Sequence, residues 1–488
     1  MRKPYLVHFG PAACAVDICD GSERGEYVNQ DYVLTKLGRP HRAINLMYCY
    51  YPNDEGWPLR ASVAHAHDAS FAWDYPYDDY FPYTGGLGGD REGPVFAQMR
   101  DIRRHGQDVC LTITMDPFLS DEHIAAVARD LRTFGRVTVR INHEATGTWF
   151  SFNRRASYEE VAAFFVRACG VFHKEAPNCK IVLCLDGCKE LSERKMLMED
   201  IFTEAAKAAD IVSVDRYLAL HWGWPNDVCE DGRSAADYDT DDIYKLAKKS
   251  YRRYVLMNDG VKKPMVMSEL NADGDVTGPY YQAEKVKRFC DLVKSDREHW
   301  LSGFTMYQFR DRGRLGLEIE DPNNADNGIE QPVLSVYRDI IRDPFFSPSR
   351  KKGKAAKLPI TLRYGGAEDC EGVCIPMELE GAPVFFESYF DGELADLNLM
   401  LEVNGRWFYK APGVRCVDLS GAFFDRSFAG GELAVTIIAP PATGENDEPR
   451  AVPGTPDTWM TDCVTVLPEL PRFRVRYAPI LNAIRGKC

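Results

Sequence analysis

Two glutamates, Glu144 and Glu269, each lie at the carboxyl end of a run of residues typical of a buried β-strand. The first run is RVTVRINHE, residues 136–144, and the second is KPMVMSEL, residues 263–270. Successive side chains of a strand point to opposite faces, so Glu144 shares its face with the other polar residues of its run. These residues are Arg136, Thr138, Arg140 and Asn142. Burying two arginines and a carboxylate for packing alone would be costly, which indicates a functional surface.

A pair of carboxyl groups that face each other across a cleft can hydrolyse a glycosidic bond. One carboxyl group, kept protonated, gives its proton to the leaving oxygen, while the other, ionised, attacks the anomeric carbon. Glu144 and Glu269 could take these two roles if the fold brings the ends of their strands together. The structural alternative is that each glutamate only forms an ion pair with an arginine at the rim of the fold.

The first 350 residues contain eight short apolar runs of strand type, and the segments between most of them have helical patterns. The runs are 5–10, 44–51, 108–115, 136–144, 180–187, 210–218, 264–270 and 302–309. This alternation predicts an α/β fold, a (β/α)8 TIM barrel, in which Glu144 ends strand four and Glu269 ends strand seven. An open doubly wound sheet is the alternative, but it usually has a Gly-rich turn after its first strand, and HFGPAACAVD, residues 8–17, is not a dinucleotide-binding fingerprint.

Composition changes after residue 343, where Pro, Lys and Ser become frequent. The predicted organisation is a barrel domain over 1–348, a linker over 349–357 and an all-β sandwich over 358–488. The last region consists of short alternating runs with turns and has no convincing helical pattern. Its Trp407 and Tyr409 suit a core as well as a sugar-binding surface, and we expect them to pack.

Three segments resemble glycoside hydrolase family 26, and the barrel as a whole is similar to clan A of the glycoside hydrolases. VRINHEATGTWF, residues 139–150, resembles the acid/base strand of that family, which has an arginine four residues before the glutamate, a histidine directly before it and a following G-x-W-F. KPMVMSELNADG, residues 263–274, resembles the nucleophile strand, and ADIVSVDRYL, residues 209–218, resembles the sixth strand. The resemblance covers residues 5–345 and implies a retaining mechanism on a β-linked sugar.

The resemblance also implies roles for individual residues. Glu144 would be the acid/base, Glu269 the nucleophile and Tyr217 the residue that orients the nucleophile, while Arg140 and His143 would hold the charge and geometry of the site. The full set of predicted substrate-binding residues is Arg140, Asn142, His143, Trp149, Tyr217, Trp222, Trp224, Tyr307 and Gln308. The chain departs from the clan pattern at His143, where an asparagine is usual, and at Tyr307 and Gln308, where many members have a tryptophan.

Aromatic residues favour a carbohydrate ligand. The segment that follows strand two carries seven aromatic residues between positions 71 and 83, interleaved with aspartates. Aromatic faces stack on sugar rings, although a lid over the barrel or an oligomer interface would use the same residues. Trp149 directly after strand four, and Trp222 and Trp224 after strand six, are better placed to form sugar-binding subsites.

A metal-dependent hydrolase is a rival interpretation because His65, His67 and Asp68 form an H-A-H-D motif. Amidohydrolases place such a pair at the end of the first barrel strand, but they also need histidines at strands five and six. The fifth run, KIVLCLDG, has no histidine, and His221 lies beyond the sixth. We therefore predict neither a metal nor a cofactor.

Composition excludes several other classes. The chain of 488 residues is 45% hydrophobic and 27% charged, which is typical of a globular protein. Its net charge of −14 would repel nucleic acid, and no apolar run reaches the ~18 residues of a membrane span. Several of the 15 cysteines lie in apolar runs, as expected of reduced thiols.

The residues and the resemblance together favour a retaining glycoside hydrolase with a carbohydrate substrate. A non-catalytic carbohydrate-binding barrel and a metal-dependent hydrolase on the same fold are the alternatives. The N-terminal segment has no clear signal-peptide core, so the chain as given is expected to be cytoplasmic. A chain from which a signal had been removed, and which was therefore secreted or periplasmic, would look the same.

Overall fold

The computed structural model describes residues 3–20, 27–59, 81–147, 150–185, 197–221, 235–324, 326–424, 426–446, 450–452, 455–460 and 462–478. The strands up to residue 330 are β1 (Tyr5–Gly10), β2 (Ala15–Cys19), β3 (Ala43–Tyr50), β4 (Phe81–Pro82), β5 (Asp108–Met115), β6 (Val137–Ile141), β7 (Cys179–Cys184), β8 (Ile211–His221), β9 (Ala235–Asp237), β10 (Met265–Ala272), β11 (Gly303–Met306), β12 (Arg310–Asp311), β13 (Glu318–Glu320) and β14 (Gly328–Glu330). The later strands are β15 (Ser349–Ala355), β16 (Ile360–Gly366), β17 (Asp369–Leu379), β18 (Pro383–Tyr389), β19 (Leu399–Val403), β20 (Arg406–Lys410), β21 (Cys416–Asp418), β22 (Gly431–Ile438), β23 (Arg450–Val452), β24 (Thr455–Met460), β25 (Cys463–Leu467) and β26 (Arg472–Tyr477). The α-helices of the described residues are α1 (Gln30–Leu37), α2 (Pro94–Arg104), α3 (Asp121–Asp130), α4 (Ser151–Arg155), α5 (Tyr158–Glu175), α6 (Glu199–Ala208), α7 (Thr240–Met257), α8 (Gly274–Thr277), α9 (Pro279–Ser295) and α10 (Pro332–Arg342).

Eight parallel strands close into a barrel, as predicted. Their order is β2-β3-β5-β6-β7-β8-β10-β11, and β11 pairs with β2 to complete the ring. Every residue of β3 and β10 is buried, because these strands are covered by helices outside and by side chains inside. Strand four is therefore β6 and strand seven is β10. No helix within the described ranges is both long enough and apolar enough to cross a bilayer.

The first predicted strand, residues 5–10, lies outside the barrel. It forms β1, which pairs antiparallel with β15 and β17, and the first barrel strand is instead β2. The burial of β1 is uneven, as in a strand with one solvent-facing side, whereas all five residues of β2 are buried. One of them is Asp17, whose carboxylate pairs with Arg42 just before β3. The other seven predicted strands match barrel strands in the structure.

The C-terminal region is a β-sandwich, as predicted. Its larger sheet has the order β15-β1-β17-β22-β19-β20, with β16 and β25 attached through β17, and its smaller sheet has the order β21-β18-β26. Val373 and Leu401 from the larger sheet and Phe386 from the smaller one contribute to a single core.

The segment 349–357, predicted to be a linker, contains the edge strand β15. The backbone of β15 pairs with β1, so β15 needs no apolar side chains, and all seven of its residues are exposed. Lysines and arginines on an edge strand discourage pairing with other chains, which explains the linker-like composition.

The sandwich packs against the end of the barrel opposite the carboxyl ends of the strands. Arg103, at the end of α2, is fully buried there and donates to Asp108, the first residue of β5, at 2.6 Å. The ring of Tyr409 lies 3.9 Å from the ring of His105, and Trp407 is buried nearby. Trp407 and Tyr409 therefore pack between the two parts of the chain.

A buried histidine at this contact makes stability depend on pH. The Nδ1 of His105 lies 2.7 Å from the carbonyl oxygen of Asp101, and its Nε2 lies 3.1 Å from the carboxylate of Asp31. Burial alone lowers the pKa of His105, but its hydrogen bonds to Asp101 and Asp31 outweigh burial and raise the pKa to about 9. A folded-state pKa above the unfolded value of ~6.5 stabilises the protein below that pH, and this contribution is lost as the pH rises through about 9.

We therefore expect the free energy of unfolding of the native protein to fall by about 3 kcal/mol, relative to the His105→Gln variant, between about pH 6 and about pH 10. Chemical denaturation of both proteins at the two pH values measures this difference. His173→Gln is the matched control, because His173 also contacts a carboxylate, that of Asp210, but at the surface. A pH dependence of stability that is equal in the native and His105→Gln proteins would contradict the prediction.

Candidate active site

Two carboxylates, one from β8 and one from β10, meet inside the barrel. Glu269 of β10 is paired in register with Asp215 of β8, and both side chains are buried. The register shifts between Met267 and Glu269, an irregularity of the β-bulge type. Bulges change the direction of side chains and are frequent next to active sites. Here both carboxylates turn towards a single cation, Arg140 of β6.

Arg140 is fixed by hydrogen bonds from each of its three side-chain nitrogens. Its Nη2 donates to Glu269 Oε1 at 2.8 Å, its Nη1 donates to Asp215 Oδ2 at 2.9 Å, and its Nε donates to Thr112 Oγ1 at 2.8 Å. Thr112 in turn donates to Asn45 Oδ1 at 2.8 Å. Burial lowers the pKa of Arg140, but the charges of Asp215 and Glu269 together outweigh burial and raise the pKa above its usual value, so that the guanidinium stays charged. The predicted polar face of strand four thus carries a buried ion-pair network.

Tyr217 is a second donor to Glu269. Its hydroxyl donates to Glu269 Oε2 at 2.6 Å, so that each oxygen of this carboxylate accepts a hydrogen bond, one from Arg140 and one from Tyr217. The ring of Tyr217 packs edge-on against the ring of Tyr307 at 5.8 Å. Tyr307 is buried, and its carbonyl accepts from Asn271 Nδ2 at 2.7 Å. The structure therefore brings together the three predicted residues Tyr217, Glu269 and Tyr307.

His143 lies near Oε1 of Glu269, whereas Tyr217 binds Oε2. Its Nε2 is 3.7 Å from Glu269 Oε1, and its ring packs 4.5 Å from the ring of Phe150. Burial, followed by the charge of Arg140, lowers the pKa of His143 well below its usual range. The imidazole is therefore neutral and brings no second positive charge to the carboxylate.

Glu144 follows His143 in a tight loop at the carboxyl end of β6. Its side chain is partly exposed, in contrast to the buried Glu269. Its φ of +50° lies in the left-handed region, which costs a residue other than glycine about 1–3 kcal/mol unless neighbouring contacts hold it there. One such contact is the hydrogen bond from Gly147 N to Glu144 O at 2.8 Å, and another joins Ala145 N to Cys184 O at 3.2 Å. The fifth strand of the barrel, β7, ends at Cys184 and thus supports the loop.

Two residues of the predicted polar face have other partners. Asn142, predicted to bind substrate, is buried with a φ of +47°, and its amide pairs with the backbone of Met115. Strict alternation places it in the lumen, but the strand ends at Ile141, so alternation no longer applies. Arg136 precedes β6 and pairs with Asp369 of the sandwich, away from the mouth.

Some of the remaining predicted residues lie within the described ranges, and the others lie outside them. Gln308 is buried beside Tyr307, and its Nε2 donates to Asp311 Oδ1 at 3.0 Å. At the end of the aromatic segment, Phe81 lies in β4, while Tyr83 is buried and donates to Asp130 at 3.0 Å, so that Tyr83 packs. The predicted residues outside the described ranges are Trp149, Trp222, Trp224, His65, His67, Asp68 and positions 71–80 of the aromatic segment.

Sequence reasoning missed Asp215, although the signal was present. In the run IVSVDRYL, Asp215 is the only acidic residue and stands two positions before Tyr217, on the same face of the strand. A second acidic partner was also missed, since Asp273 after β10 pairs with His221 at the end of β8. Both carboxylates lie at the carboxyl-end side of the barrel, where function is located in this fold.

The carboxylates and His143 have spacing that could hold a metal ion, since ligand atoms of His143, Asp215 and Glu269 lie within 4.8 Å of one another. However, Arg140 already donates to both carboxylates, at 2.9 and 2.8 Å, and balances their charge. A divalent cation bound to the same oxygens would face the charge of that guanidinium at close range. The cluster therefore fits a carboxylate pair balanced by arginine better than a metal centre.

Comparison with known proteins finds similarity only at the level of structure. No protein-family model matches the chain, and no curated protein sequence matches it. Solved structures do match. One is a family 26 β-mannanase from Bacteroides ovatus, with 11% identity, a TM-score of 0.40 and coverage of 69% of this chain and 90% of the other.

Two further matches cover more of this chain. A modular endo-β-1,4-mannanase from Cellulomonas fimi has 12% identity and a TM-score of 0.43, with coverage of 94% of each chain. A monomeric β-xylosidase from Caulobacter crescentus has 10% identity and a TM-score of 0.43, with coverage of 88% of this chain and 97% of the other. These similarities are ones of architecture, and the roles of the site residues rest on the contacts described above.

Proposed function

We propose that this protein is a retaining glycoside hydrolase that cleaves a β-linked glycoside or polysaccharide. The observation that carries the proposal is the environment of Glu269, whose carboxylate is held inside the barrel by Arg140 and Tyr217. The contact of 3.7 Å between His143 and Glu269 supports the convergence of strands four and seven, because His143 is directly followed by Glu144. A buried carboxylate with two donors, and a partly exposed glutamate one residue after His143, match the two roles that this reaction needs.

In the first step Glu269 attacks the anomeric carbon and forms an ester with it, while the bond to the leaving oxygen breaks. Glu144 gives its proton to that oxygen, so the aglycone leaves as a neutral alcohol. In the second step Glu144 takes a proton from water, and the resulting nucleophile attacks the same carbon and releases Glu269. Two inversions at one carbon retain its configuration. The hydroxyl of Tyr217 holds the carboxylate of Glu269 without adding charge, and the neutral His143 beside this carboxylate adds none either.

The proposal is tested first with a panel of aryl β-glycosides of glucose, mannose, xylose and galactose, as mono- and disaccharides, and with the corresponding polysaccharides. Hydrolysis with retention, read from the anomer that is formed first by NMR, supports the proposal. An inverted product would contradict the mechanism, and binding of a polysaccharide without hydrolysis would instead support a non-catalytic barrel.

The role of Glu144 is tested by the dependence of the rate on the leaving group. For Glu144→Ala we expect kcat/KM on the phenyl glycoside to fall by about 10²–10⁴-fold, because that leaving group needs a proton. On the 2,4-dinitrophenyl glycoside of the same sugar kcat/KM should be nearly unchanged, because this leaving group departs as an anion. Azide should restore turnover by replacing the water that Glu144 activates.

Asp116→Asn is the control for this test. Asp116 directly follows the neighbouring strand β5 but is bound to Arg155, at 3.0 Å, and to the backbone of Phe118, at 2.9 Å. Its replacement should affect the two aryl glycosides equally. If Glu144→Ala also slowed both substrates to the same extent, Glu144 would not be the proton donor.

A further inference from the structure

The loop that carries Glu144 begins where β6 stops pairing with β5. The last residues in register are Ile113 and Ile141, and Asn142 N still donates to Ile113 O at 3.1 Å. Beyond this point the side chain of Asn142 continues the pairing. Its Oδ1 accepts from Met115 N at 2.6 Å, and its Nδ2 donates to Met115 O at 3.1 Å. A side-chain amide thus takes the place of a backbone amide at the end of the strand.

We propose that Asn142 is a positioning residue that directs the carboxyl group of Glu144 towards the scissile bond. This inference rests on the proposed function, in which Glu144 is the proton donor. Residues 142 and 144 both have left-handed backbone, with φ of +47° and +50°, so the loop turns Glu144 away from the direction that regular alternation would give it. Asparagine tolerates this conformation well, whereas glutamate does so rarely. The amide of Asn142 holds the start of the turn in this conformation.

The other side of the loop is held independently. Ala145 N donates to Cys184 O at 3.2 Å. Gly147 N closes the turn onto Glu144 O at 2.8 Å. Loss of the Asn142 amide therefore releases only the side of the loop that faces β5, the third strand of the barrel. The fold persists, but the carboxyl group of Glu144 moves, and a displacement of ~1 Å in a catalytic group can cost about a hundredfold in rate.

The test uses phenyl and 2,4-dinitrophenyl glycosides of a sugar that the native protein cleaves. For Asn142→Ala we expect kcat/KM on the phenyl glycoside to fall by about a hundredfold, because transfer of the proton is impaired. On the 2,4-dinitrophenyl glycoside, which needs no proton, we expect a fall of no more than about threefold. A residue that only supported folding would reduce the rates on both substrates by the same factor, and that result would overturn the proposal.

A second variant separates the amide from the backbone conformation. Asn142→Gly permits left-handed backbone at no steric cost but lacks the amide, so we expect the same selective loss on the phenyl glycoside. Native rates in Asn142→Gly would show that conformation alone is needed and would overturn the proposal. Since glycine fits the turn, this variant also serves if Asn142→Ala does not fold.

Asn178→Ala is the matched control. Asn178 is also buried and bonded to backbone, since its Nδ2 donates to Leu131 O at 3.1 Å and to Gly135 O at 2.7 Å, but it lies at the opposite end of the barrel. Its replacement should lower the melting temperature without any dependence on the leaving group. The failure of the inference and that of the proposed function are distinguishable. If Glu144→Ala is selective for the phenyl glycoside and Asn142→Ala is not, only the inference fails; if neither is selective, the role of Glu144 fails.

Discussion

Replacing Glu269 with glutamine is expected to lower kcat by at least about ten-thousandfold on any glycoside that the native protein cleaves. Glutamine has nearly the same shape and keeps an oxygen that can accept from Arg140 or Tyr217, so the site should persist while its nucleophile is lost. Steady-state kinetics on the best aryl glycoside, with the thermal unfolding of both proteins recorded in parallel, measure the effect.

The chain offers a close control for this substitution. Glu318 is buried and accepts hydrogen bonds from the same two donor types, from Tyr32 at 3.1 Å and from Arg310 at 3.2 Å. Glu318→Gln should reduce stability in a similar way but keep kcat close to that of the native protein. A 2-deoxy-2-fluoro glycoside with a good leaving group should also trap the ester on Glu269, visible by mass spectrometry of a digest. Label on a different residue, or an active Glu269→Gln protein, would exclude Glu269 as the nucleophile.

The barrel could be predicted from sequence because parallel strands that are covered on both faces are continuous apolar runs. The first strand was the exception, for a physical reason. AVDIC is short and carries Asp17 in its centre, and this charge is balanced by Arg42, 25 residues further along the chain, with a further hydrogen bond from Ala43 N at 3.0 Å. Residues 5–10 form a more apolar run, which is typical of a barrel strand, although they pair with the sandwich. A local pattern cannot show that a charge will be neutralised by a distant partner.

The site was predictable to the extent that side chains alternate along strands. Alternation placed Arg140 inside the barrel, and the resemblance implied the contact between Tyr217 and Glu269. Alternation failed beyond Ile141, where β6 ends and the left-handed turn begins, so that Asn142 pairs with Met115 instead of facing the mouth. The end of a strand depends on where its neighbour stops pairing, and that is a property of the whole sheet.

The role of β15 could not be predicted either, because its side chains carry no sign of a strand. Residues 349–355 are exposed throughout, and their backbone pairs with β1. Since β1 (Tyr5–Gly10) lies far from β15 (Ser349–Ala355) in the chain, the pairing also joins the two ends of the barrel region to the sandwich. An edge strand of this kind is defined by the strand with which it pairs. It must also avoid pairing with the strands of other chains, and this requirement favours lysine and arginine.

Replacement of Arg140 with methionine is expected to abolish activity and to lower the free energy of unfolding by about 3–5 kcal/mol at neutral pH. Arg140 is 1% exposed and is the shared partner of Asp215 and Glu269, so its loss leaves two buried carboxylates without their counterion. Chemical denaturation measures the loss. Adding Asp215→Asn to this variant removes one of the two charges, so the double variant should be more stable than Arg140→Met alone.

Arg103→Met separates stability from catalysis. Arg103 is as deeply buried as Arg140 and pairs with Asp108 at 2.6 Å, but it lies at the end of the barrel that faces the sandwich. Its removal should therefore also destabilise the protein, while the folded protein keeps its kcat. If Arg140→Met left stability unchanged, the buried charges at the mouth would have another counterion. If Arg103→Met also abolished kcat in the folded protein, the loss in Arg140→Met would reflect general destabilisation, and the site would no longer depend on the pairing of Arg140 with Glu269.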